Sequence, residues 1–250
     1  NENSMPALHA EIKYNKGMIS MPEMLPYPVT NFSTNIKADV DLNNKTDIYV
    51  NHLNANMSNS SLALSGTIKD VMDKMYCNIK LNASADLNEL QSFIPEGIVA
   101  EGKIKLDATA SVNNHQITNM DLMNAKVNGN MQWDNMNIVY YDTINVTADR
   151  LDVSLTLPNP VSEDLMNGLA SVEIKGTNLD ARVADMIVAG LKDYNINAQV
   201  SNILDENVPM SVYADYSFSR IDASMDDMNF FANKPYGSVA MFMKENSNDA

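Results

Sequence analysis

The chain holds one cysteine and one tryptophan, and its arginines are Arg150, Arg182 and Arg220 alone. A single cysteine, Cys77, excludes an internal disulfide and with it a secreted disulfide scaffold, while leaving an envelope compartment open. Cys77 alternates with Ile79, Leu81 and Ala83, which reads as a buried, inert thiol rather than a nucleophile. Basic residues are scarce: 17 lysines and arginines face 32 acids, for a net charge of -15. Without a basic patch to neutralise phosphates, nucleic-acid binding and electrostatic attachment to an anionic membrane are both excluded. Any contact with lipid must therefore go through acyl chains. No apolar run approaches the ~18 residues of a membrane helix, and no charged-then-apolar leader opens the chain. The abrupt start at Asn1 points to a soluble piece of a longer protein, its anchor or leader removed.

Signs of chemistry are equally sparse. His9, His52 and His115 lie far apart, with no second histidine at ligand spacing, so neither a zinc site nor a histidine triad is indicated. Asp39-x-Asp41-x-Asn43 opens like a calcium loop. It has Asn44 where the turn glycine belongs and Val50 where the closing glutamate belongs. These polar residues are expected on the solvated face of a strand. Trp133, the only tryptophan, is thin support for a sugar-stacking cleft. The expectation is a non-enzymatic protein with no catalytic residues, no metal and no cofactor.

What is present is alternation. Ile36, Ala38, Val40 and Leu42 share one side of an extended segment, with Lys37, Asp39 and Asp41 on the other. The period of two returns from Cys77 to Ala85, Ile104 to Val112, Leu151 to Leu157, Tyr194 to Val200 and Met210 to Phe218. Asn43-Asn44, Asn113-Asn114, Asn128-Gly129 and Asp205-Glu206-Asn207 supply turns between them, since asparagine tolerates left-handed angles. The pattern predicts a meander of antiparallel strands. Helix is confined to short pieces. Asp86 to Ile94 has Asp86 as cap, Glu89 placed for a capping box, and Pro95 with Gly97 as a stop. A second candidate is Glu163 to Leu169, and Arg182 to Gly190 fits helix and strand alike. Gly66 and Gly102 each stand just ahead of an alternating strand, with Gly176 a fainter echo, giving a repeat-like unit of roughly 40–50 residues. The chain reads as one elongated domain over residues 1–250, with a possible joint at Pro158-Asn159-Pro160, where paired prolines cannot continue a ladder. Near the C-terminus, Phe218, Phe230, Phe231, Tyr236 and Phe242 read as a terminal piece of core, or as a plug closing one end.

The segment from Leu62 to Val112 carries the most information. Leu64-Ser65-Gly66-Thr67-Ile68-Lys69-Asp70-Val71 is followed by Leu81 to Leu90, then Phe93-Ile94-Pro95, then Glu101-Gly102-Lys103-Ile104-Lys105-Leu106. This order of strand, strand, short helix ending at proline and "G-x-I-x-L" strand resembles the AsmA family of bacterial envelope proteins, related to TamB-type and bridge-like lipid-transfer proteins. The resemblance covers about fifty residues of the chain. It implies an all-β fold: a long, curved antiparallel sheet forming a U-shaped, taco-like groove with one or two short helices and an apolar lining. It also implies a periplasmic location with an inner-membrane anchor outside this piece, phospholipid acyl chains as ligand, envelope proteins as possible partners, and a role in outer-membrane assembly or lipid homeostasis. The expected lining residues are Leu64, Ile79, Leu81, Ile104, Leu106, Leu151, Val153 and Leu155. The 18 methionines suit an irregular greasy surface. The competing expectation is a closed β-sandwich with a filled core, a structural or assembly module of the envelope that takes no lipid.

Overall fold

The structure, a computed structural model, describes residues 7–23, 25–41, 45–118, 125–157, 170–184, 187–201, 211–225 and 228–242. Eight strands follow one another in antiparallel hairpins: β1 (Ala7–Ile19), β2 (Val29–Asp41), β3 (Lys45–Met57), β4 (Ser60–Lys69), β5 (Tyr76–Asp86), β6 (Ile98–Asn113), β7 (Lys126–Tyr140) and β8 (Ile144–Leu157). Then come β9 (Ala170–Thr177), β10 (Leu179–Val183), β11 (Ile187–Lys192), β12 (Tyr194–Ser201), β13 (Ser211–Ser217), β14 (Arg220–Met225), β15 (Met228–Asn233) and β16 (Tyr236–Phe242). All belong to one open, 16-stranded antiparallel sheet.

Beyond β8 the sheet divides into two rows, β10-β11-β14-β15 and β9-β12-β13-β16. The division is a crease, not a fork. Arg150 pairs with Thr177 and Thr147 with Asp180, so the register passes unbroken through Asn178. Tyr194↔Gly176 and Leu191↔Leu179 join β12 to β11 in the same way. Asn195↔Ser217 with Lys192↔Arg220, and Ser217↔Tyr236 with Arg220↔Asn233, do so for the last two pairs. The sheet is therefore a meander of twelve long strands, each of the last four bent once near its middle.

The bend is made by residues in the left-handed region: Gly102 (φ 108), Asn135 (φ 52), Asn178 (φ 50), Asp193 (φ 43) and Lys234 (φ 50), with Lys16 and Asn31 doing the same in β1 and β2. Where such a residue is inserted, as Asn135 is opposite Gly102, it bends the strand and shifts its alternation by one, while β6 itself keeps its phase. Gly102 admits no other residue, because a Cβ there would stand 2.5 Å from the Asn135 carbonyl oxygen and 2.6 Å from that of Asp134. Trp133 closes the same corner, its Nε1–H donating to the Glu101 carbonyl at 3.0 Å.

Among the described residues no second layer covers the sheet. Among the described residues no large side chain is fully buried, and the buried apolar set is short, including Cys77, Met136, Ala148, Leu157 and Tyr194. The accessible surface is 16824 Å², against about 11,000 Å² for a compact chain of this mass. A sandwich of two zipped sheets is thereby overturned. Along β6 the apolar Ile104, Leu106, Ala108 and Ala110 are half-buried while Lys103, Lys105, Asp107 and Thr109 between them are exposed, so the sheet curves with its apolar face inward.

The helix expected at Asp86–Ile94 is instead two 3₁₀ turns, Leu87–Glu89 and Gln91–Phe93. Asp86 does cap, accepting from the Asn88 amide at 3.2 Å. Glu89 does not reach back to Asp86. It turns to the β3–β4 hairpin, where it accepts from the Asn59 amide (3.1 Å) and side chain (2.7 Å), and Ser60 Oγ takes the Asp86 N–H. A carboxylate held by a neighbouring hairpin cannot close a capping box, and the turn stays tight. Arg182 to Gly190 falls on β10 and β11, which pair antiparallel. One helical turn was not expected: α1 (Asn114–Thr118), fixed by Gln116 N–H to Asn113 Oδ1 (2.9 Å) and Asn113 N–H to Gln116 Oε1 (2.8 Å). The helix at Glu163–Leu169 and the joint at 158–160 lie outside the described residues; on either side of them Thr156 pairs with Ser171.

Candidate functional site

Residues directly opposed in an antiparallel pair put their side chains on the same face, so the pairings trace that face across the sheet. Leu64 lies opposite Leu81, Leu81 opposite Ala108, Ala108 opposite Gly129, Gly129 opposite Leu155, and Leu155 opposite Val172. In the adjacent row Leu106, Met131 and Val153 stand in line; in the next, Ile104, Trp133 and Leu151. Ile79 faces Ala110. The eight expected lining residues thus occupy one continuous face from β4 to β8. The row then continues through Ala198 and Ala214 to Val239 in the last strand. Without a covering layer this face stays partly open, and Leu62 and Ile79 are 38% and 37% exposed.

The other arm of the groove was missed by sequence reasoning. Beyond the crease the same face is formed by Ile138 opposite Val146, Tyr140 opposite Ile144, and Ala181 opposite Val146. In β8 the apolar positions are odd from Leu151 onward and even from Ile144 to Ala148. The available signal was that change of phase at Asp149-Arg150. Near the crease the floor is built of tyrosine over glycine. Tyr194, 3% exposed, lies across Gly176, and Tyr216 lies across Gly237. Burial pushes the Tyr194 hydroxyl pKa up, and that hydroxyl donates to the Arg150 carbonyl at 3.4 Å.

The convex face is polar and laced with local pairs. Arg150 holds Asp152 (2.7 Å) and Arg220 holds Asp222 (2.6 Å). Hydrogen bonding to Arg220 keeps the Asp222 carboxyl below its usual range, and donation from Ser238 and Tyr213 does the same for Asp215. His9 lies against Asp39 at 2.6 Å, which places Asp39 in a solvated strand pair. Asn43 lies outside the described residues. Among the described residues no three of His, Cys, Asp and Glu gather as a metal site. Cys77 is buried, which raises its thiol pKa. The C-terminal aromatics are not a core: Phe230 and Phe231 are 61% and 63% exposed and, being adjacent in a strand, point to opposite faces. Arg220 sits over the Phe231 ring at 5.4 Å.

Charge divides between strands and connections. Among the described residues that join one strand of the meander to the next, Lys74 is the only lysine or arginine, against acids such as Glu23, Glu89, Glu96 and Asp142. The described parts of the groove's borders are therefore net negative.

No family model, no curated protein and no solved structure matches this chain.

Proposed function

We propose that this protein binds phospholipid acyl chains along its concave face and conducts them there, without enzymatic chemistry, in the bacterial envelope. One observation carries the reading: the inward face is apolar across the strands of the meander, and among the described residues no layer of protein covers it. Soluble proteins rarely leave a contiguous apolar patch of such extent without a use for it. At about 0.8 kcal/mol per buried methylene, covering half of one acyl chain yields on the order of 6 kcal/mol. Twelve strands at their usual spacing give a groove about 50 Å long, longer than the ~30 Å hydrocarbon core of a bilayer. Several tails can lie end to end along it. A face of evenly distributed Leu, Val, Ile, Ala and Met offers no deep pocket to trap any one of them, which suits movement along the groove.

The periplasmic placement, the inner-membrane anchor in a longer protein and the part in outer-membrane lipid homeostasis rest on the AsmA likeness. Native mass spectrometry of protein purified from cells tests the ligand. Lipid adducts that persist through gentle desolvation are the expected result. Protein that arrives clean, with its fold intact, would favour the competing role of a structural module without lipid.

A further inference from the structure

Beyond the crease the convex face holds a cavity of about 310 Å³, lined mainly by residues of β10, β11, β14 and β15. Its floor is a missing side chain. Asp180 lies opposite Gly190, Gly190 opposite Asp222 and Asp222 opposite Phe231, so one row crosses four strands with a gap at its second place. Asp180 leans over that gap, for a Cβ on Gly190 would stand 2.8 Å from its Oδ1. The floor lies inside the sheet, since β11 is paired on both sides. We propose that this cavity binds a neutral saccharide, with a pyranose ring laid against Phe231 and its hydroxyls on the polar wall.

The lining selects that class of ligand. Phe231 is 63% exposed on the polar side of the sheet, and it is braced there. Arg220 stands over its ring at 5.4 Å, and Asp222 fixes Arg220 in turn, with Nε at 2.8 Å and Nη2 at 2.6 Å from Oδ1. A ring whose orientation is set beforehand loses little freedom when a ligand is laid on it. The charges also cancel. Asp180 and Asp222 are matched by Lys192 and Arg220, so the cavity exerts no net pull on an anion or a cation. Asp222 is engaged by Arg220, whereas the Asp180 carboxylate makes no hydrogen bond or ion pair among the described residues and is free to accept from a hydroxyl. Ser224 and Asn229 add a hydroxyl and an amide to the same wall. A pyranose carries C–H groups on its faces and hydroxyls around its edge, which matches one aromatic surface beside donors and acceptors. A purely apolar ligand would strand those polar groups without partners. The volume lies at the small end of ligand cavities, which suits a sugar unit rather than a macromolecular surface. Trp133 has no part in the site, because it lies on the concave face opposite Ile104.

The site is on the opposite side of the sheet from the groove, so its test is independent of lipid. The experiment titrates the isotope-labelled 250-residue protein with maltotriose, cellotriose and tri-N-acetylchitotriose at millimolar concentration and follows backbone amide shifts. Saturable shifts centred on Gly190, Asp222 and Phe231 are expected with at least one of the three. They should change little as salt is raised, because an uncharged ligand is not screened. Phe231→Ala should weaken that binding about ten-fold, and Phe231→Tyr should restore it. Gly190→Val fills the floor with a residue that strands favour and should abolish binding in a protein that circular dichroism shows to be folded. The proposal is overturned if none of the three sugars gives saturable shifts, if the shifts centre elsewhere, or if either the Phe231→Ala or the Gly190→Val protein binds as tightly as the parent.

Discussion

Asn178 donates from Nδ2 to Oδ2 of Asp149 at 2.5 Å, across the line where β8 and its neighbour both change phase. That bond ties together the two residues that let each strand turn a corner and keep its apolar side chains inward. Without the irregular residue, everything beyond the crease would present its polar side to the groove, because a shift of one residue exchanges the faces of a strand.

Asn178 at φ 50 is therefore a structural requirement. Asn178→Val places a β-branched residue in the left-handed region and removes the bond to Asp149, at a cost of roughly 1–3 kcal/mol. Asn178→Gly, free of the backbone penalty, is expected to lose less than half as much. Urea midpoints of the two variants decide it; equal losses would show that the side-chain bond alone matters.

Strand alternation made the all-β meander and one arm of the groove legible. Leu151, Val153 and Leu155 announce themselves, as do Ile104 and Leu106. The second arm was hidden because one inserted residue in each strand from β7 onward cancels the period over any window spanning it. In β8, Ile144, Val146 and Ala148 are out of phase with Leu151, and a single strand cannot say whether that is a bend or a strand end. The pattern around Gly66 and Gly102 places them just ahead of strands. They sit inside β4 and β6, where backbone from the next strand approaches too closely for a side chain. Glu89 was read as a local cap, although its partners lie in a hairpin 30 residues away. Local pattern carries no information about such a contact.

An uncovered groove responds to mutation differently from a filled core. Leu106→Ala is expected to cost about 1 kcal/mol, the transfer term of a half-buried side chain, rather than the 2–5 kcal/mol of a core truncation. Val153→Glu is expected to leave the fold standing, since the new carboxylate still reaches water, while abolishing lipid adducts. Denaturant titration alongside native mass spectrometry reads both effects. Global unfolding of Val153→Glu would contradict an open face.

Glu89 fastens the turn after β5 to the β3–β4 hairpin through Asn59 and Ser60. Glu89→Ala should cost about 1–2 kcal/mol, as for hydrogen bonds to a charged group. Amide exchange should speed up at Asn59 and Ser60 while the β7–β8 pair stays protected. Exchange that rises uniformly across the sheet would mean the contact is not local.

Asp215 and Asp222 are both held below the usual carboxylate range, by Ser238 and Tyr213 in one case and by Arg220 in the other. A carboxylate whose folded pKa is depressed contributes stability above its unfolded pKa, and that contribution drains away as pH falls through the folded value. The gap in urea midpoint between wild type and Asp215→Asn/Asp222→Asn is therefore expected to be widest at neutral pH and to shrink in acid. Both groups are exposed, so the gap will be small. A gap that widened on acidification would reverse the sign and refute the assignment.

The charge along the borders bears on which lipids the groove takes, if it takes them as proposed. Acyl chains on the concave face leave headgroups in water at the rims, beside connections in which, among the described residues, Lys74 is the only lysine or arginine. An anionic headgroup there meets acids of like sign, whereas a zwitterionic headgroup brings an ammonium to them. In mixed vesicles at low salt, adducts should be enriched several-fold in the ammonium-bearing lipid relative to the anionic one. Exposed charges are screened within about 10 Å at 0.1 M salt and about 3 Å at 1 M, so the preference should fade as salt is raised while total lipid binding, driven by the chains, persists. Enrichment of the anionic lipid at low salt would show that the rims do not favour the ammonium-bearing headgroup, and loss of all binding at high salt would show that charge, not oil, holds the ligand.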